Sequence, residues 1–454
     1  MTRAHIVDSV VYEHLWTTPA ARDRFGERGR MQSWLRIVAQ LAAAQADLGL
    51  VPREAAEEIA ATADVDAFDF DEIAAGTRES GHSTLGLIRA WHRRLSPTAR
   101  EWIYWGATVQ DVTDTWTGIV MRDVLDETAR EVERLERALG ALAREHRETV
   151  VLGRTHGQPG LPVTFGFKVA VWLAEVRRHR ERIVQARPRL AVGELAGAVG
   201  TCSFWGEAGL ALQARLCDRL GLAAPDVTWL TARDRVAEFV VLLAMITGTL
   251  AKIGREVYGL QRAEIGEVAE PTRPGLVGSI TMPHKRNPEL SEHLVTLGRI
   301  VRGAAALALE GLVHEHERDG AAWKAEWAYL PEACVMTAAA LHFGCELVEG
   351  LEVDRERMAA NVDAQGGYVQ SEPVMRALTD RLGKHTAHEV VYAAAMRGRA
   401  AGLTLREALG ADAAVAAALS AVELDALLDP VTAARPAIAL VDRVLAAGER
   451  DPSA

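Results

Sequence analysis

The chain has 454 residues, 49% of them apolar and 25% charged, with a formal net charge of -11 at pH 7. That is the composition of a soluble globular protein with a large core, and its acidic balance argues against a nucleic-acid partner or an anionic membrane surface. An anionic substrate stays open, because a local basic cluster can outweigh the global sign.

The opening MTRAHIVDSVVYEHLW lacks the apolar run of a secretory leader, so the expected location is cytoplasmic. Region 1–110 reads as a domain of shorter helices and turns. Across its boundary runs YWGATVQDVTDT, 104–115, where Thr108, Gln110, Asp111, Thr113, Asp114 and Thr115 crowd the start of a long helical pattern. Thr and Asp cap helices, and the free backbone N–H groups of a helix start can bind a carboxylate or phosphate.

Prolines leave long uninterrupted spans over 111–350, and such spans can hold long helices because Pro breaks helix interiors. Within 114–148, Met121, Val124, Leu125, Val132, Leu135, Leu139 and Leu142 recur at helical spacing, with Thr128 filling the one gap. VLGRTHGQPGLPVTFGF, 151–167, interrupts the pattern and reads as a Gly/Pro-punctuated loop bearing Thr155, His156 and Gln158. Histidine titrates near neutrality and is the commonest general acid or base.

The spans 226–265 and 289–318 are more apolar, so several of their faces must be buried. The run from Phe239 to Ile246, between Glu238 and Lys252, is too short to cross a bilayer and reads as a core helix. Residues 277–294, VGSITMPHKRNPELSEHL, form a loop. Gly278 supplies a hinge, Pro283 and Pro288 stiffen it, and it carries Ser279, Lys285 and Asn287. Cys202, Cys217, Cys334 and Cys345 follow neither zinc nor disulfide spacing. His314 and His316, two residues apart, do not share a helix face as metal ligands would. No P-loop, dinucleotide or zinc motif appears, so neither metal nor cofactor is expected.

Residues 351–454, opening at EVDRERMAANVD, read as a third domain of short Ala-rich helices. Strand-like alternation is scarce throughout. The expected class is all-α, built as a bundle shared between subunits, since long helices apolar on several faces need other helices around them.

GSITMPHKRNP, ATVQDVTDT and GRTHGQP, taken together, resemble the three signature regions of the fumarase/aspartase superfamily, in the branch of adenylosuccinate lyase and 3-carboxy-cis,cis-muconate cycloisomerase. The resemblance extends over nearly the whole chain. It implies a three-domain all-α homotetramer with a twenty-helix core, active sites shared between subunits, and reversible anti β-elimination from a succinyl group without a cofactor. It also implies a small dicarboxylate substrate, Ser279 as base and His156 as acid. His82, Thr108, Gln110, Asp111, Thr155, Gln158, Lys285 and Asn287 would bind substrate. Arg154, Arg262, Arg318 and Lys324 are further anion contacts to consider.

The departures bear on substrate. Ile280 replaces the second serine of the loop, and Val109 replaces the serine of a Thr-Ser pair. Trp327 stands where adenylosuccinate lyases carry an arginine, and no Arg-Tyr element appears around 16–30. The cycloisomerases usually carry Trp in place of the histidine at 156. The expected substrate is a small non-nucleotide succinyl compound losing nitrogen: an amine, ammonia or nitrite. Adenylosuccinate cleavage, nitrosuccinate cleavage, carboxymuconate lactonisation and a non-catalytic role remain the alternatives.

Overall fold

The apolar stripe of the first long segment becomes the buried face of a 37-residue helix, Val109–Glu145, in the computed structural model, which describes residues 5–273 and 275–449. All seven stripe positions and Thr128 are 8% exposed or less. The opposite face, with Asp123, Asp126, Arg130 and Glu133, is half-buried or exposed. Four more long helices follow: Phe165–Leu190, Asp234–Gln261, Glu289–Glu310 and Gly320–Glu349. Among the described residues the secondary structure is nineteen α-helices, short 3-10 turns and four short strands, so the all-α class holds.

The contacts sort the chain into two units. One comprises the residues up to 131 together with 179–248 and 296–342. Inside it, Arg233 is clasped by Asp114 Oδ2 at 2.8 Å and by Glu326 Oε1 at 2.7 Å, and all three side chains are 4% exposed or less. A buried charge left unpaired is costly, so this triad fixes three segments against one another. Trp34, Leu35, Ile37, Val38 and Leu41 form the buried face of the 21-residue helix Glu27–Asp47, longer than the short helices expected before 110.

The other unit comprises 132–178, 249–295 and 343–449. Its C-terminal helices close over Val374, Leu378, Ala387, Val391, Leu405 and Leu409. Two capping boxes, Thr404 with Glu407 and Ser420 with Glu423, start short helices there. Lys384–Ala400 and Pro430–Glu449 are longer than expected, at 17 and 20 residues.

Two expectations need correction. Proline does not always end a helix here: Pro188, Pro331 and Pro436 lie inside helices. At Pro331 the loss of one backbone donor is outweighed by burial of its neighbours Leu330, Ala333 and Cys334, each 1% exposed or less. The segment read as a loop at 151–167 contains an antiparallel hairpin, Val150–Thr155 with Gln158–Thr164. The helix Asp234–Gln261 is long and apolar enough to cross a membrane, but 72% of its most apolar window is buried in the protein, as a core helix would be. The four cysteines are free and buried.

Candidate active site

In the first unit the site begins at the N-terminus of Val109–Glu145. Asp111 Oδ2 accepts the Thr108 N–H at 2.8 Å, and Oδ1 accepts those of Ala196 and Gly197 at 2.8 and 3.1 Å. Burial pushes its carboxyl up to about 6, against the pull of those three donors. Gln110 accepts from Arg318 Nε at 2.8 Å and donates to the Leu230 carbonyl and to Asp114.

Gln110 and Asp111, expected as substrate contacts, are 1% and 2% exposed, and protein groups take up their polar atoms. They shape this helix end rather than offer free groups. Thr108 is half-buried and its hydroxyl accepts from Arg318 Nη1 and Nη2 at 3.2 Å. Val109 presents no hydroxyl beside it. The result is a guanidinium fixed over a helix N-terminus, two sources of positive potential at one place.

His82 lies near this end through shared contacts. The Thr84 hydroxyl is 3.4 Å from His82 Nδ1 and 3.5 Å from the Tyr104 hydroxyl. Tyr104 adopts a left-handed backbone, φ 58°, ahead of Gly106. Burial raises its phenol pKa, so the hydroxyl keeps its proton.

In the second unit the hairpin carries His156 at its tip. Thr155 pairs with Gln158, leaving a two-residue turn, His156–Gly157, with φ of 53° and 76°. Two successive positive φ angles make a type I′ turn, whose twist matches that of the flanking strands. Thr155, His156 and Gln158 are exposed, and their side chains have no partner among the described residues. Below them Arg154 forms a bidentate pair with Glu267, at 2.8 and 2.7 Å, and Asn361 donates to the same carboxylate at 2.9 Å.

The signature loop is held at its C-terminal end. Glu270 accepts the N–H groups of Leu290 and Ser291, at 3.0 and 2.7 Å, at the start of Glu289–Glu310. Arg286 donates to the Glu270 carbonyl at 2.6 Å and pairs with Glu352. Gly278 closes the loop's base: a Cβ there would lie 2.5 Å from the Lys285 carbonyl oxygen. The Ser279 hydroxyl accepts the Met282 N–H at 3.1 Å. Lys285 is exposed with no partner among the described residues, and Asn287 makes only a 3.4 Å contact to Glu289. Ile280 is 94% exposed.

Hairpin and loop residues of this unit share no side-chain hydrogen bond or ion pair among the described residues. Of the further anion contacts considered, Arg154 and Arg262 are taken up by Glu267 and Glu264, while Lys324 stands exposed. Tyr104 and Thr84 escaped the sequence reading, and nothing in their local pattern marks them. No group of three or more His, Cys, Asp or Glu gathers as a metal site among the described residues.

A family model described as lyase matches residues 14–303, and one described as the adenylosuccinate lyase C-terminus matches 367–444. The N-acetyl-S-(2-succino)cysteine lyase of Dickeya dadantii is 38% identical over 442 residues, 97% of each chain. The 3-carboxy-cis,cis-muconate cycloisomerase of Pseudomonas aeruginosa is 39% identical over 425 residues, 93% of each chain. The crystal structure of the Pseudomonas putida 3-carboxy-cis,cis-muconate lactonizing enzyme superposes with a TM-score of 0.91 at 36% identity, covering 97% of this chain and 99% of that one. With matches of this reach at both levels, the chain belongs to the fumarase/aspartase superfamily of lyases, in the branch of adenylosuccinate lyase and carboxymuconate cycloisomerase.

Proposed function

We propose that this lyase catalyses reversible anti β-elimination from a small, non-nucleotide succinyl compound and releases fumarate. Ser279 removes the proton beside a carboxylate, and His156 protonates the departing atom. One observation carries the reading: the candidate base and acid stand on two separately braced turns. Among the described residues His156 has no partner, and the one bond at the Ser279 hydroxyl is one it accepts. A hydrogen bond accepted by the serine oxygen favours its anionic form, as a serine base requires. Removing the proton builds a dianion on the carboxylate, which needs fixed donors. Lys285, Asn287 and the Arg318–Thr108 helix end supply that type of group, with His82, Thr155 and Gln158 placing the substrate.

The departing atom is nitrogen or sulfur. The family resemblance favours nitrogen, and the name of the Dickeya dadantii relative adds a succinyl thioether. Trp327 and the missing Arg-Tyr element speak against a nucleotide. The exposed site residues fit a homotetramer of three-domain subunits, 1–110, 111–350 and 351–454, in which other subunits complete each site. No metal or cofactor enters these steps.

The test follows fumarate by ultraviolet absorbance. The panel is N-acetyl-S-(2-succino)cysteine, N-substituted aspartates, aspartate, argininosuccinate, adenylosuccinate and nitrosuccinate, with carboxymuconate lactonisation followed in parallel. Fumarate from a non-nucleotide member is the expected result. Lactonisation without fumarate would overturn the reading in favour of a cycloisomerase, which the 39% identical relative favours and His156 disfavours.

A further inference from the structure

Tyr104 holds a backbone conformation that bulky residues avoid, with φ of 58°. Such a conformation persists only where its surroundings enforce it, and it is found at functional sites. Here the enforcement is visible. The Tyr104 carbonyl accepts the Ala107 N–H at 3.2 Å, and the next carbonyl, that of Trp105, accepts from the buried Gln45 Nε2 at 2.8 Å. Gly106, at φ 81°, leaves its Cβ space to two rings: a methyl there would lie 2.7 Å from the Trp205 indole and would also strike Phe204. Trp105 meets Phe204 edge to face, with centroids 4.9 Å apart. The segment that carries Phe204 and Trp205 begins at Ala196 and Gly197, whose N–H groups Asp111 accepts. The turn and the helix end at Thr108 are therefore fixed to one another.

The turn brings the phenol to the buried Thr84 and within the fields of Asp111 and Arg318. Its one hydrogen-bond contact among the described residues, 3.5 Å to the Thr84 hydroxyl, is far longer than the ordinary O–H···O distance of about 2.7–2.8 Å. A tyrosine hydroxyl taken out of water normally has a better partner. Burial keeps its proton in place, so it remains a donor. Arg318 also has donors to spare, because a guanidinium carries more N–H groups than the three that Gln110 and Thr108 accept. Water could satisfy any one of these groups. A phenol, spare guanidinium N–H groups and a helix N-terminus together suit an acceptor with several lone pairs and a negative charge.

We propose that Tyr104 donates its phenol hydrogen to a carboxylate of the substrate, beside the Arg318 guanidinium, and so selects a carboxylate at that position. Trp105, Gly106, Phe204 and Trp205 are positioning residues, acting through the left-handed turn. The inference rests on the elimination reading for the identity of that carboxylate, which fumarate retains as product.

Tyr104→Phe keeps the ring and removes the donor. Calorimetry on the full chain is expected to show fumarate bound about 10-fold or more weakly by the variant. KM for the fumarate-releasing substrate should rise by a similar factor, with kcat changed less. Fumarate bound equally by both chains would overturn the proposal. So would a fall in kcat alone, which would place the phenol at the departing atom. Crystals of the unmodified chain with fumarate are expected to put a carboxylate oxygen about 2.5–3.0 Å from the phenol oxygen, and they decide the matter should the variant not fold. A carboxylate elsewhere, a partner subunit's side chain on the phenol, or no bound fumarate would overturn the assignment. The two readings fail separately. Fumarate held through Tyr104 but released from no member of the panel sinks the elimination alone, and fumarate released with Tyr104→Phe indifferent sinks this proposal alone.

Discussion

Arg154 and Glu267 form a two-pronged ion pair directly below the turn that presents His156, and the Glu267 side chain is wholly buried. The pair fastens strand Val150–Thr155 to a segment more than a hundred residues away, so the candidate acid's position depends on it. Arg154→Gln is expected to cost roughly 3–5 kcal/mol, because it strands a buried carboxylate with Asn361 alone. Arg154→Lys keeps the charge but loses the fork and should fall between. Chemical denaturation measures the first effect. A fall in kcat with a smaller change in KM would show that the hairpin has shifted. Unchanged stability would show that the pair does not hold the hairpin.

His156→Asn tests the acid. Asparagine adopts positive φ readily, so the turn should survive the change. With an amine or thiol leaving group kcat is expected to fall about 100-fold or more. With nitrosuccinate, whose nitrite leaves without protonation, the loss should nearly vanish. An equal loss on both substrates would mean that His156 does something other than donate a proton.

Ser279→Ala should leave the circular dichroism spectrum and Tm of the chain unchanged, since among the described residues the hydroxyl makes a single hydrogen bond, within an exposed loop. Elimination should drop at least about 100-fold. Rates equal to those of the unmodified chain would remove Ser279 from the mechanism.

Gly278→Ala separates loop closure from chemistry. The added methyl would meet the Lys285 carbonyl at 2.5 Å, so the base of the loop must open. KM is expected to rise with Lys285 displaced, while Tm, measured in the same samples, moves by less than about 2 °C because the loop is exposed. An unchanged KM would show that Lys285 is not a substrate contact.

Glu194 gives a prediction in pH. Its carboxylate accepts the Trp229 N–H at 2.7 Å and the Thr228 hydroxyl at 3.0 Å, but burial pushes it from 4.5 up to about 7. The unfolded chain therefore releases this proton first. Between about pH 4.5 and 7 the native state holds the extra proton, so this group's contribution to stability falls as pH rises and levels off above 7. The change amounts to up to roughly 3 kcal/mol. Glu194→Gln should flatten that part of the stability profile, and a slope unchanged by the substitution would refute the assignment.

What could be read from the sequence divides by distance along the chain. The Met121-to-Leu142 stripe is a local repeat, so the longest helix and its buried face were legible, down to Thr128 in the gap. The hairpin was not. Its turn is His-Gly rather than the usual Asn-Gly, and glycines and prolines break its alternation. The engagement of Gln110 was beyond reach because its partner Arg318 lies 208 residues away. The same holds for Asp111, whose acceptors face Ala196 and Gly197.

The three-piece make-up of each unit bears on synthesis. Residues 1–131 emerge from the ribosome without the stretches 179–248 and 296–342 that complete their unit, and the other unit waits for the chain's last hundred residues. The Asp234–Gln261 helix, apolar enough to pass for a membrane span, is therefore made before its later neighbours Ser291, Leu294 and Gly344 exist. Nascent chains of this protein should depend on chaperone holding until late in translation, and ribosome stalling beyond codon 261 should be a point of aggregation.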